Sequence, residues 1–142
     1  MSGDYNMTIQ ELKVGDSAFV AKTISESDVY IFAGITGDFN PVHINEVVAN
    51  KTNFGGRIAH GILSAGLISS VLGMKLPGPG TIYLKQELKF TKPVRVGDTV
   101  KATCTVLEIL PEKNIVYFDT VCTNQQNEVV IKGKTMVMPP RN

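Results

Sequence analysis

The chain has 142 residues, 43% of them apolar and 19% charged, a balance that suits one globular domain and excludes a disordered segment. Fourteen basic residues stand against thirteen acidic ones, so the formal charge is +1 and nothing in it argues for nucleic acid or an anionic membrane as partner. Cys104 and Cys122 lie in apolar surroundings without metal-ligand spacing; they read as buried, reduced thiols, which suits a cytoplasmic setting.

Met1 to Gln10 lacks a basic start leading into an apolar run, so no secretory signal is expected there. Val14-Gly15-Asp16 reads as a turn and Ser17 to Thr23 as a short strand leaving it. Ser25 with Asp28 three residues on has the form of a helix N-cap and its reciprocal acidic partner. Val29, Ile31, Phe32 and Ile35 then supply an apolar stripe at helical spacing, and Gly34 to Gly37 ends the helix. Asp38-Phe39-Asn40-Pro41-Val42-His43 is expected to be irregular, because Pro41 lacks an amide donor and pushes Asn40 toward extended geometry. Asn45 to Lys51 reads as one or two helical turns, and Asn53 to Arg57 as a loop.

From Ile58 to Met74 the chain carries no acid, lysine or arginine for seventeen residues, a length at the bottom of the membrane-spanning range. A helix apolar on almost every face, within an otherwise polar chain, is expected to be the buried centre of the domain. Leu76 to Gly80 is a compact stop. The period then changes to two. Ile82, Leu84, Leu88 and Phe90 fall on one face and Tyr83, Lys85, Glu87 and Lys89 on the other, predicting a half-buried strand. After a second turn at Val96-Gly97-Asp98, the residues Val100, Ala102, Cys104 and Val106 alternate with polar ones. Ile115 to Thr123 and Glu128 to Met138 complete the set, joined by Asn124 to Asn127. The repeat of Val-Gly-Asp is read as reuse of one good turn.

Helices early and strands in series late predict a single α+β domain over residues 1–142, with an antiparallel sheet wrapped around one long helix, the hot-dog architecture. Such a sheet must protect its edges, and pairing with a second copy is the usual solution.

Two features carry chemistry. Asp38 and His43, five residues apart on a segment bent by proline, either face one pocket as a general acid/base pair or serve as turn and cap residues. His60-Gly61 opens the apolar helix, where unpaired amides and partial positive charge suit an oxyanion; the plainer reading is a packed glycine and a structural histidine. Ser69 lies two turns further on, either aimed the same way as Gly61 or bonded back to the preceding turn.

The run Gly37-Asp38-Phe39-Asn40-Pro41-Val42-His43 resembles the G-D-x-N-P-x-H signature of the MaoC-like, R-specific enoyl-CoA hydratases. The resemblance continues at His60-Gly61, Tyr83-Leu84, Leu88, Phe90, Pro93-Val94 and Val96-Gly97-Asp98, and spans residues 12–137. It implies a hot-dog homodimer, open to further oligomerisation, that hydrates trans-2-enoyl-CoA to (R)-3-hydroxyacyl-CoA. It places Asp38 as the base that activates water, His43 as its acid/base partner, Asn40 as a supporting polar group, the Gly61 amide as the oxyanion donor and Ser69 as an active-site serine. An acyl-CoA is then the substrate, and no cofactor or metal is expected. A dehydratase acting on acyl carrier protein, a hot-dog thioesterase and a non-catalytic acyl-binding domain are the alternatives. Arg57, Lys75 and Lys85 either meet CoA phosphates or are solvated surface charges.

Overall fold

The alternating runs of the C-terminal half form the middle of one antiparallel sheet. The computed structural model describes residues 6–142 and contains β1 (Ser17–Thr23), β2 (Ile82–Phe90), β3 (Thr99–Leu110), β4 (Ile115–Thr123) and β5 (Val129–Met138), in the order β1-β3-β4-β5-β2. Between β1 and β2 lie α1 (Glu26–Thr36), α2 (Pro41–Ile44), α3 (Glu46–Asn50) and α4 (Gly61–Met74). Helix α4 packs against β1, β2, β3 and β4, giving the α+β hot-dog arrangement expected from the order of elements. The first half of the stretch Met1 to Gln10, residues 1–5, lies outside the described residues.

The core is built where the two periodicities meet. Ile68, Val71 and Leu72 of α4 are fully buried against Val100, Ala102, Cys104 and Val106 of β3 and Val116, Phe118 and Cys122 of β4. Each large apolar side chain so enclosed contributes about 1.5–3 kcal/mol. Both cysteines are free and buried within this core, and burial pushes each thiol up to about 12.

The duplicated Val-Gly-Asp is one turn used twice. The Lys13 amide donates to the Asp16 carboxylate at 2.8 Å and the Arg95 amide to that of Asp98 at 2.9 Å. Gly15 and Gly97 share the left-handed φ of 96°, which a side chain would disfavour. One turn leads into β1 and the other into β3.

Helix α1 starts as its capping pattern predicts. Ser25 Oγ accepts from the Asp28 amide at 3.0 Å, and the Asp28 carboxylate accepts from the Ser25 amide at 2.9 Å. Lys22, 2.7 Å away, and these bonds hold the Asp28 carboxyl below the usual carboxylate range. The helix runs to Thr36, with Gly37 as its left-handed cap. Its buried line is Val29 and Ala33, while Ile31 and Ile35 of the expected stripe point outward.

Three expectations need correction. Helix α4 begins at Gly61 rather than Ile58, which instead bridges to Arg95, and its Ile62 and Met74 are exposed. It is therefore buried on one face only. No helix among the described residues is long and apolar enough to cross a membrane. Strand β2 is exposed along nearly its whole length, with Leu88 alone half-buried, because it lies at the sheet edge and pairs only with β5. A bulge between Tyr83 and Lys85 also exchanges the faces. Tyr83, Gln86, Leu88 and Phe90 pair with Val137, Thr135, Gly133 and Ile131, whereas Ile82 joins Lys85, Glu87 and Lys89. Strand β5 begins at Val129, one residue later than read, since Glu128 is drawn into the turn by Asn124.

Candidate active site

Two short segments make the site: 37–44, and 58–61 at the start of α4. In the first, Asn40 is extended (φ −52°, ψ 124°), as the following proline demands, and its side chain accepts from the Val42 amide at 3.3 Å. The segment nevertheless does not stay irregular. Pro41 opens the one-turn helix α2, because the first helical position needs no amide donor and its φ is already helical. That turn carries His43 inward to 9% exposure and leaves Asp38 and Asn40 exposed.

The second segment meets the first through a reciprocal pair of hydrogen bonds. His43 Nδ1 lies 2.7 Å from the Ile58 carbonyl, and His60 Nε2 lies 3.0 Å from the Asp38 carbonyl. A carbonyl only accepts, so each of those nitrogens carries its proton. In the neutral rings the free lone pairs are then His43 Nε2 and His60 Nδ1. The imidazoles stack with centroids 3.8 Å apart and planes 30° from parallel, and the Phe32 ring, tilted by 50°, has its centroid 4.7 Å from that of His60. The backbone adds one more tie, from the Ile58 amide to the Val42 carbonyl at 3.2 Å.

The result gathers Asp38, His43 and His60 so that one ligating atom from each lies within 4.8 Å of the others. This is a possible metal-ligand set by distance. A carboxylate and two imidazoles this close together are also groups able to pass a proton between them.

Next to His60, Gly61 is the first residue of α4, and no hydrogen bond among the described residues uses its amide. A Cβ there would come within 2.6 Å of the Phe90 ring, so a larger residue would displace Phe90 from the helix end. Gly61 and His43 line the same cavity, about 430 Å³ in volume, with Phe54, Ile62, Ser64 and Phe90 among its apolar and small walls. Ser64 is fully buried there, and its hydroxyl has no partner.

Of the five residues singled out in sequence, the structure brings Asp38 and His43 together, places Gly61 on the same cavity as His43, and puts Asn40 in the supporting turn. Ser69 is exposed on α4 and does not line this cavity. Eight residues is 2.2 turns of helix, so Ser69 is rotated about 80° from Gly61. Ser64, three residues from Gly61, lines the cavity from a buried position, an i, i+3 relation that was legible. The ring stack and the part played by Phe90 were not, since both join residues distant in sequence.

Arg57 is not free to meet a phosphate. It is bound to Glu46 at 2.5 Å, Tyr30 at 2.5 Å and Glu26 at 2.7 Å, and those carboxylates raise its pKa further. It clamps α1 and α3 together. Lys75 Nζ donates to the Phe19 carbonyl at 2.8 Å, and Lys85 stands exposed on β2.

An antiparallel sheet around one helix, with an aspartate and a histidine gathered beside the residue that precedes that helix, is the arrangement of a hot-dog protein of the MaoC-like class. The chain belongs to this family: the MaoC like domain matches residues 14–130. Among curated relatives it is 58% identical, over 92% of its length and 90% of theirs, to an (R)-specific enoyl-CoA hydratase of Rhodospirillum rubrum. It is 47% identical to a 3-hydroxybutyryl-CoA dehydratase of Methylorubrum extorquens, over 93% of this chain and 83% of the relative. Among solved structures, the unliganded R-hydratase PhaJ1 of Pseudomonas aeruginosa superposes with a TM-score of 0.92 at 46% identity, covering 96% of this chain and 88% of that one.

Proposed function

We propose that this chain is an (R)-specific enoyl-CoA hydratase, adding water to trans-2-enoyl-CoA to give (R)-3-hydroxyacyl-CoA. The observation that carries the reading is the Asp38 carboxylate and the His43 imidazole held within 4.8 Å at the start of α4, beside an uncommitted Gly61 amide and an apolar cavity. The names of the hydratase and dehydratase relatives support it, since hydration and dehydration are one reaction in two directions.

The thioester oxygen accepts from the Gly61 amide, which favours the enolate and makes the β-carbon electrophilic. A water molecule donates to Asp38 and to the free Nε2 of His43, an orientation fixed by the Nδ1–H bond to Ile58. Its oxygen bonds to the β-carbon as the π bond breaks. The proton it loses passes through this pair to the α-carbon on the same face, so water is fully accounted for. Asn40 keeps the bend through its bond to Val42. No cofactor or metal takes part.

The working unit is a homodimer, open to further assembly, and its place is the cytoplasm. Supporting the assembly are the open edge of β2, with Ile82, Leu84 and Phe90 exposed, and the exposed Ile62 and Met74 of α4. The acyl chain enters between subunits, where a second copy would also bring the exposed Ser69 face of α4 against a neighbour.

The test is loss of enoyl absorbance on addition of crotonyl-CoA, repeated with octenoyl-CoA, with the product's configuration determined. Release of free CoA thiol with the enoyl absorbance unchanged would replace the reading by a thioesterase. Turnover only of the carrier-protein thioester would replace it by the acyl carrier protein dehydratase.

A further inference from the structure

His60 is 2% exposed, stacks on a catalytic ring and takes no part in the proton transfers described above. We propose that His60 is a positioning residue, whose Nε2–H bond to the Asp38 carbonyl fixes the reactive carboxylate relative to the α4 amide, a role that rests on the hydratase reading.

The loop bearing Asp38 has little else to hold it. Residues 37–40 are exposed. The Asp38 amide donates to Thr36 Oγ1 at 3.1 Å, the Phe39 amide to the Gly37 carbonyl at 3.1 Å, and the Asn40 amide to Asp38 Oδ1 at 3.2 Å. Each of these spans two residues; the first ties the loop to the end of α1, the other two lie within the loop, and none reaches α4. The His60 bond spans 22 residues and, among the described residues, is the hydrogen bond that ties this loop to α4. His60 is also the cap residue immediately before Gly61, so one side chain links the base directly to the helix end that receives the thioester oxygen.

The chemistry of the ring supports the assignment. With Nε2–H committed to Asp38, Nδ1 is an acceptor, and it is buried without a partner. An unpaired buried nitrogen is unfavourable, and a leucine would fill similar space without it. The imidazole therefore contributes through its other nitrogen. The rings of Phe32 and His43, with centroids 4.7 and 3.8 Å away, pack against His60 and restrict its movement.

Two amide replacements separate the nitrogens. His60→Gln places an N–H near the position of Nε2 and His60→Asn near that of Nδ1. With crotonyl-CoA, His60→Asn is expected to lower kcat about 10²-fold with KM little changed, the loss expected of a reacting group displaced by about 1 Å, while His60→Gln recovers most of it. Equal kcat in the two variants, whether both high or both low, overturns the proposal. The ¹⁵N–¹H histidine spectrum of the parent protein provides a readout independent of folding in the variants: neutral His60 is expected as the Nε2–H tautomer, and a neutral Nδ1–H tautomer overturns the proposal. If the parent hydrates no enoyl-CoA, the hydratase reading fails by itself, and the tautomer still decides whether the brace exists.

Discussion

Strands β2 and β4 are the same length and both carry apolar residues at intervals of two, yet they end in opposite environments. In β4, Val116, Phe118, Thr120 and Cys122 are completely buried, whereas β2 buries no residue completely and has Leu88 alone half-buried. The difference lies in their neighbours. Strand β4 has partners on both sides and α4 across its inner face, while β2 has β5 on one side and an open edge on the other. Alternation assigns side chains to faces; it does not say whether anything covers the face. The site lies on the open side of this contrast, with Phe90 at the end of β2 forming one wall of its cavity.

The sharpest way to test the division is to remove chemistry from the open side and packing from the closed one. Asp38→Asn and His43→Gln are each expected to lower kcat on crotonyl-CoA by at least about 10²–10⁴-fold with the chain still folded, the usual contribution of a positioned proton-transfer group. Near-parental turnover in either variant would remove that residue from the reaction. Phe118→Ala, in the closed region, should cost about 3–5 kcal/mol in urea unfolding; a cost under about 1 kcal/mol would mean that β4 is not the centre of the core.

On the edge, Leu84→Asp should leave the fold intact and shift sedimentation from the proposed dimer toward monomer, because a charge at a paired edge must be desolvated. An unchanged dimer would place the interface elsewhere. The smallest effect is chemical. Burial raises both thiols to about 12, so at pH 8 only about 10⁻⁴ of either is thiolate. A thiol reagent should find neither Cys104 nor Cys122 in the native protein and both after denaturation. Rapid native labelling would show that the β3–β4 region opens readily.

Local signals carried far along this chain because the forces behind them are local. Ser25 and Asp28 cap α1, Gly37 ends it, and both Val-Gly-Asp turns fold alike, each depending on atoms within a few residues. The alternation of Val100, Ala102, Cys104 and Val106 in β3 likewise named the buried face. Spacing around Pro41 left the pairing of Asp38 with His43 as one of two readings, and the resemblance to the hydratase signature favoured it. What sequence order left open was every relation between distant segments. The stack of His43 on His60, the packing of Phe90 against Gly61, the capture of Arg57 by Glu26, Tyr30 and Glu46, and the exposed flank of α4 arise when segments far apart in the chain come into contact. Such contacts depend on the summed packing of the domain, and no window of neighbouring residues contains that sum.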